Sequence, residues 1–71
     1  MLRRRSPEEV GRILVELRDG RTRPYVTRKL GISVSALQSY EEGRRTPSDE
    51  VKTRIANYYQ VPLQKIFFAE D

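Results

Sequence analysis

The chain of 71 residues contains no cysteine, no histidine and no tryptophan. Without cysteine there is no disulfide framework, no thiolate metal site and no thiol nucleophile. Without histidine, the commonest neutral-pH proton carrier and a leading zinc ligand is missing too. Carboxylates remain, but Glu41 and Glu42 are adjacent, and a helix end points such neighbours in different directions. No enzyme activity, catalytic residue, metal or cofactor is therefore expected. No apolar run approaches the roughly 18 residues of a membrane span, and no membrane partner is expected. The start, MLRRRSPEE, carries charge with no apolar segment after it, unlike a secretory leader. A cytoplasmic, nucleoid-associated protein is the expectation.

What the chain does have is positive charge. Fourteen Lys and Arg face ten Asp and Glu, a formal charge of +4, and eleven of the fourteen are Arg. Arginine forks favour bidentate contacts to phosphate, so a polyanion is a suitable partner. A net +4 alone is a weak pointer, since many surfaces are mildly basic. A single domain of this size buries only about 60% of its unfolded surface, which leaves little room for both a core and an enclosed substrate cavity.

Helical signals run along the chain. Ser6, Pro7 and Glu9 form a helix start with a capping box, and Val10, Ile13, Leu14 and Leu17 follow at i, i+3, i+4 and i+7. That helix ends near Arg18, and Asp19-Gly20-Arg21 is a short turn. Residues 22–43, TRPYVTRKLGISVSALQSYEEG, read as helix, tight turn, helix. Thr22 caps a helix over 23–30 whose inner face is Val26 and Leu30. Gly31 can take the positive φ of a helix-ending turn. Ser33 caps a helix over 34–41 with Leu37 and Tyr40 inward. After the loop Glu42–Pro47, Ser48 caps a fourth helix, with Val51, Ile55, Ala56 and Tyr59 on its inner face. Val61-Pro62 breaks it, and Leu63, Ile66 and Phe67 form a short fifth helix over the core. No stretch alternates with the period of a strand. A short turn between two helices of this length is a common way of presenting a helix to the DNA major groove.

Four stretches in register, ILVELR, KLGIS, YEEGRRTPS and IANYYQVPLQKIFF, make the chain resemble the phage Cro and repressor type of helix-turn-helix domain, the XRE-like, lambda-repressor-like group. The resemblance covers roughly residues 9–68. It implies an all-α fold, a compact five-helix DNA-binding domain over residues 6–71, with residues 1–5 a flexible basic arm. Three features depart from the family pattern: Thr27 stands where relatives have Ala or Gly, the Asp19–Arg21 turn is short, and Asp49 and Lys52 replace residues that are often apolar.

Carried over position by position, the resemblance places base contacts at Ser33, Val34, Ser35 and Ser39, with Gln38 adjacent. Spacing agrees, since positions 35 and 39 share a face opposite Leu37 and Tyr40. Ser discriminates weakly among bases, Val34 suits a thymine methyl and Gln38 suits adenine. The bland alternative is that Ser33 only caps its helix and Ser35 and Ser39 are solvated. Backbone contacts fall to Arg23, Arg44, Arg45 and Thr46, against the alternative of solvated surface charge. Arg3, Arg4 and Arg5 enter a minor groove or remain a disordered start, and Arg21 and Lys29 add to the positive field. Tyr25 is a surface residue or a backbone contact, and Tyr40 is core. Arg18 and Glu41 correspond to a partly buried structural ion pair. Relatives commonly dimerise through the corner of the fourth and fifth helices, here Tyr58, Val61, Pro62, Leu63 and Phe68, of which Leu63 and Phe68 could instead finish the core.

The expected function is a sequence-specific DNA-binding transcriptional regulator, a repressor bound as a homodimer to a palindromic operator on double-stranded DNA. Half-sites would lie one helical turn apart, about 34–36 Å. No small-molecule effector is expected. The alternative is a protein-interaction module on the same fold, such as an antitoxin or anti-repressor partner.

Overall fold

Among the described residues, four of five helices begin at a hydroxyl. Ser6, Thr22, Ser33 and Ser48 are extended, and their side-chain oxygens accept the backbone N–H of Glu9, Tyr25, Ala36 and Val51. Each cap satisfies one of the donors that a helix start leaves without an internal partner. The computed structural model describes residues 1–70; Asp71, the last residue of the expected domain, lies outside them. The elements are β1 (Leu2–Arg4), α1 (Pro7–Arg18), α2 (Arg23–Leu30), α3 (Val34–Glu41), α4 (Asp49–Tyr59), α5 (Leu63–Phe67) and β2 (Phe68–Glu70).

The helices close on one core. Val10 and Leu14 of α1, Val26 and Leu30 of α2, Leu37 and Tyr40 of α3, Ile55 and Ala56 of α4, and Ile66 and Phe67 of α5 are buried together. Ile13, Leu17, Val51, Tyr59 and Leu63 pack at its margin, half-buried. The turn between α2 and α3 depends on Gly31, whose φ is 71° and whose N–H donates to the Thr27 carbonyl at 2.8 Å. Thr27 is itself buried, and its hydroxyl donates to the Arg23 carbonyl at 2.8 Å. The bulkier residue thus brings no unsatisfied polar group into the helix crossing. Among the described residues, no helix is long and apolar enough to cross a membrane.

The first residues, expected to form a flexible basic arm, carry a short strand. Leu2, Arg3 and Arg4 pair antiparallel with Glu70, Ala69 and Phe68, and the Arg5 N–H donates to the Phe67 carbonyl at 3.0 Å. The sequences LRR and FAE are too short to show an alternating pattern. The ribbon forms because the helices bring the two segments side by side.

The capping box at α1 carries a pH signature. The Ser6 N–H donates to Glu9 Oε1 at 3.0 Å, while the Glu9 N–H donates to Ser6 Oγ at 3.1 Å. The Arg3 guanidinium also donates to the Glu9 carboxylate, at 3.2 Å. First the Arg3 hydrogen bond, then the Ser6 N–H, hold the Glu9 carboxyl at about 2 in place of 4.5. A carboxyl depressed in the folded state stabilises the fold above its unfolded pKa, and that contribution is lost as pH falls through the folded value. The contribution of Glu9 is therefore complete above about pH 4.5 and disappears towards pH 2. An NMR titration of the Glu9 carboxyl carbon should give a midpoint near 2, moving up towards the ordinary range in Arg3→Gln. An ordinary midpoint in the unmodified protein would refute the contact.

Candidate nucleic-acid interface

Helix α3 is short, and its two sides differ. Leu37, Tyr40 and Glu41 turn inward and are buried. Val34 is 40% exposed, and Ser33 and Ser35 are exposed beside it. Ser33 Oγ accepts from the Ala36 N–H at 3.0 Å, so its lone pairs are partly committed to the cap. Gln38 is half-buried and donates to Glu42 Oε2 at 3.1 Å.

Ser39 departs from its expected place on the reading face. It is only 8% exposed. Its carbonyl accepts from the Arg44 N–H at 2.9 Å, and Arg44 Nη2 lies 3.5 Å from its hydroxyl. Four residues on from Ser35, the helix has turned about 40° past a full turn. The loop after α3 folds back over that last turn and covers Ser39.

Glu41 organises the inner side. Its side chain is 1% exposed. The Arg18 Nε donates to Glu41 Oε2 at 2.7 Å and Arg18 Nη2 to Oε1 at 3.0 Å, a two-pronged contact. The Arg23 Nε donates to the same Oε1 at 2.8 Å. The Glu41 hydrogen bond pushes the Arg18 pKa further up, so this cation stays charged. Arg18 Nη1 also donates to the Arg21 carbonyl at 2.8 Å, which fastens the turn between α1 and α2. Helices α1, α2 and α3 therefore share one buried carboxylate. Arg23, assigned to DNA backbone contact from the sequence, has its Nε committed to Glu41 and is about one-third exposed.

The cations after α3 are more open. Arg44 is 62% exposed and pairs with Glu42 at 2.8 Å. Arg45 is exposed, with its guanidinium carbon 5.6 Å from the Tyr40 ring centroid, and Thr46 is exposed beside it. On the outer side of α2, Arg28 and Lys29 are exposed, and Lys29 lies 5.7 Å from the ring of the exposed Tyr25. Arg28 was not singled out from the sequence, although the Arg-Lys pair on the polar side of α2 is a readable signal. Arg21 serves the fold: it donates to the Leu17 and Arg18 carbonyls and stacks near Tyr58 and Tyr59.

The corner of α4 and α5 is a fringe of the core. Tyr58 packs edge-on to Tyr59 with centroids 4.9 Å apart, and burial pushes the Tyr59 hydroxyl pKa up. Tyr58, Val61, Leu63 and Phe68 are half-buried against the core, and Pro62 is exposed.

Two short capped helices meet at a glycine turn. The second presents small residues at its start, and open arginines follow it. This arrangement defines a helix-turn-helix DNA-binding domain. The sequence profile of the helix-turn-helix family matches residues 16–66, and the chain belongs to that family, in its XRE-type, Cro- and repressor-like branch. It is a DNA-binding transcription regulator of the XRE type. No curated protein and no solved structure gives a significant match.

Proposed function

We propose that the protein is a sequence-specific repressor that works by occupying a palindromic operator as a homodimer in the cytoplasm. The carrying observation is the exposed start of α3, Val34 and Ser35, with the open cations Arg44 and Arg45 following the helix. In this reading α3 enters the major groove. Val34 packs on a thymine methyl, and Ser33 and Ser35 hydrogen-bond to base edges. Gln38 reaches adenine when it lets go of Glu42. Arg44, Arg45, Thr46 and the uncommitted nitrogens of Arg23 hold phosphates and set the register, which is the ordinary division between positioning and reading. Pro62 and the exposed rims of Tyr58, Val61, Leu63 and Phe68 form the dimer contact, and no small ligand is required.

Selection of bound duplexes from a random pool, followed by binding at graded salt, tests this reading. A recovered inverted repeat supports the dimer and its spacing. Arg44→Ala with Arg45→Ala is expected to lower DNA affinity and make the dependence of log K on log salt shallower by about 0.9–1.8, one to two phosphates at about 0.9 each. The thermal midpoint should barely move, because both side chains are exposed. Arg23→Ala is a poorer probe, because it also disturbs Glu41. Affinity indifferent to salt for every duplex offered would sink the proposal and favour a protein-interaction module.

A further inference from the structure

A cleft of about 210 Å³ opens between β1, the start of α1, the loop from α3 to α4, and α4 itself. Val10 and Phe67 supply apolar lining, and Arg4, Arg5, Arg45 and Lys52 line it, with no carboxylate in the lining among the described residues. These cations are poorly neutralised. The Lys52 side chain is only 16% exposed, yet its nearest carboxylate is the fully exposed Asp49, at 4.0 Å. Its ammonium sits 5.3 Å from the Phe67 ring centroid. Among the described residues the buried Arg5 Nε has no hydrogen-bond partner, and the other contacts of its guanidinium are long, 3.4 Å to the Lys65 carbonyl and 3.8 Å to Glu9.

A concave site lined by one sign of charge focuses potential on whatever enters it. A buried donor without an acceptor is costly, and an anion with several oxygens relieves both penalties. The volume lies below the roughly 300–1,000 Å³ of sites that enclose a whole small molecule, so the cleft fits one anionic group. Arginine forks match phosphate oxygens best. Arg45 and Thr46 also line the cleft, and both belong to the loop assigned to the DNA backbone above.

We propose that this cleft seats one backbone phosphate of bound DNA, held by Arg4, Arg5 and Lys52 together with Arg45. The inference rests on the DNA-binding reading and extends its footprint beyond the α2–α3 pair. It gives the ribbon of β1 and β2 a task, since pairing with Phe68 fixes the backbone at Arg4. Lys52, a charge at a position that is often apolar in similar chains, becomes part of the interface.

The test uses the whole protein and a short duplex of mixed sequence. Arg4→Gln with Lys52→Gln should make the salt dependence shallower by about 0.9, so that the affinity lost relative to wild type shrinks about 3.5-fold over a fourfold rise in salt. Lys52→Arg, which keeps the charge, should retain the wild-type slope. A neutral methylphosphonate placed at each position in turn should weaken wild-type binding at one linkage where the double variant shows no further loss. Thermal melts select variants that remain folded. A full wild-type slope in the folded double variant, with no coupled linkage, overturns the proposal while leaving the DNA reading intact, provided the Arg44 and Arg45 variant still loses affinity. Wild-type protein that binds no duplex overturns both. Inorganic phosphate saturating the cleft at low millimolar concentration, with the duplex slope unchanged by the variants, assigns the cleft to a free anion and also overturns the proposal.

Discussion

Glu41→Gln is expected to destabilise the fold by about 2–4 kcal/mol, a large part of the margin of a small domain. The carboxylate is 1% exposed and takes three hydrogen bonds from two guanidinium groups. Gln keeps one acceptor oxygen and loses the charge, leaving two cations side by side with no anion between them. Removing one partner of a buried ion pair typically costs about 3–5 kcal/mol, chiefly because the remaining charge is stranded. Here the stranded groups are Arg18 and Arg23, whose side chains are 18% and 31% exposed, so some rehydration lowers the expected figure. Arg18→Met should cost less, about 2 kcal/mol, because Glu41 retains Arg23. Urea denaturation of the two single variants and the double variant measures the coupling. A Glu41→Gln unfolding free energy within about 0.5 kcal/mol of wild type would mean that the network contributes nothing beyond ordinary surface pairs.

Much of the framework was legible because it is local. A hydroxyl before an apolar repeat, Glu three residues after Ser6, and Gly31 between two periodic segments each act within one turn of chain. The buried face of each helix followed from spacing for the same reason. What escaped depends on chain segments that meet only after folding. The ribbon at residues 2–4 and 68–70 is set by where α1 begins and α5 ends, and three-residue strands carry no pattern of their own. Ser39 shares a helical face with Ser35 on paper, but the loop that returns over it lies outside the helix. Resemblance pointed to the pair of Arg18 and Glu41; the second guanidinium on Glu41 required knowing that α2 begins beside the end of α3. The lining of the cationic cleft comes from four separate stretches of chain, and only their folding brings Arg4, Arg45 and Lys52 together.

Gly11→Ala sets local preference against packing, and packing is expected to win by about 2–3 kcal/mol. Glycine inside a helix is less favourable than alanine by about 1 kcal/mol, so α1 considered alone would gain from the change. In the folded protein, however, a Cβ at Gly11 would overlap the Glu41 carbonyl oxygen, with the Glu41 carbonyl carbon at 2.9 Å and the Tyr40 oxygen at 3.0 Å. These are backbone atoms of α3, and no rotamer change moves them aside. Relief requires α1 and α3 to separate, which loosens the contact of Arg18 with Glu41 and shifts the presented start of α3 relative to Arg44 and Arg45. The variant should therefore melt lower and also lose discrimination between a selected operator and a mixed-sequence duplex. Its phosphate-driven salt dependence should persist. Gly20 offers the contrast: nothing lies within 4 Å of an added Cβ there, so Gly20→Ala meets only the strain of a φ of +79°, about 1 kcal/mol. That variant should keep operator discrimination. A Gly11→Ala protein at least as stable as wild type would show that α1 and α3 can part freely, and the close approach of the two helices would then have no role in holding the reading helix.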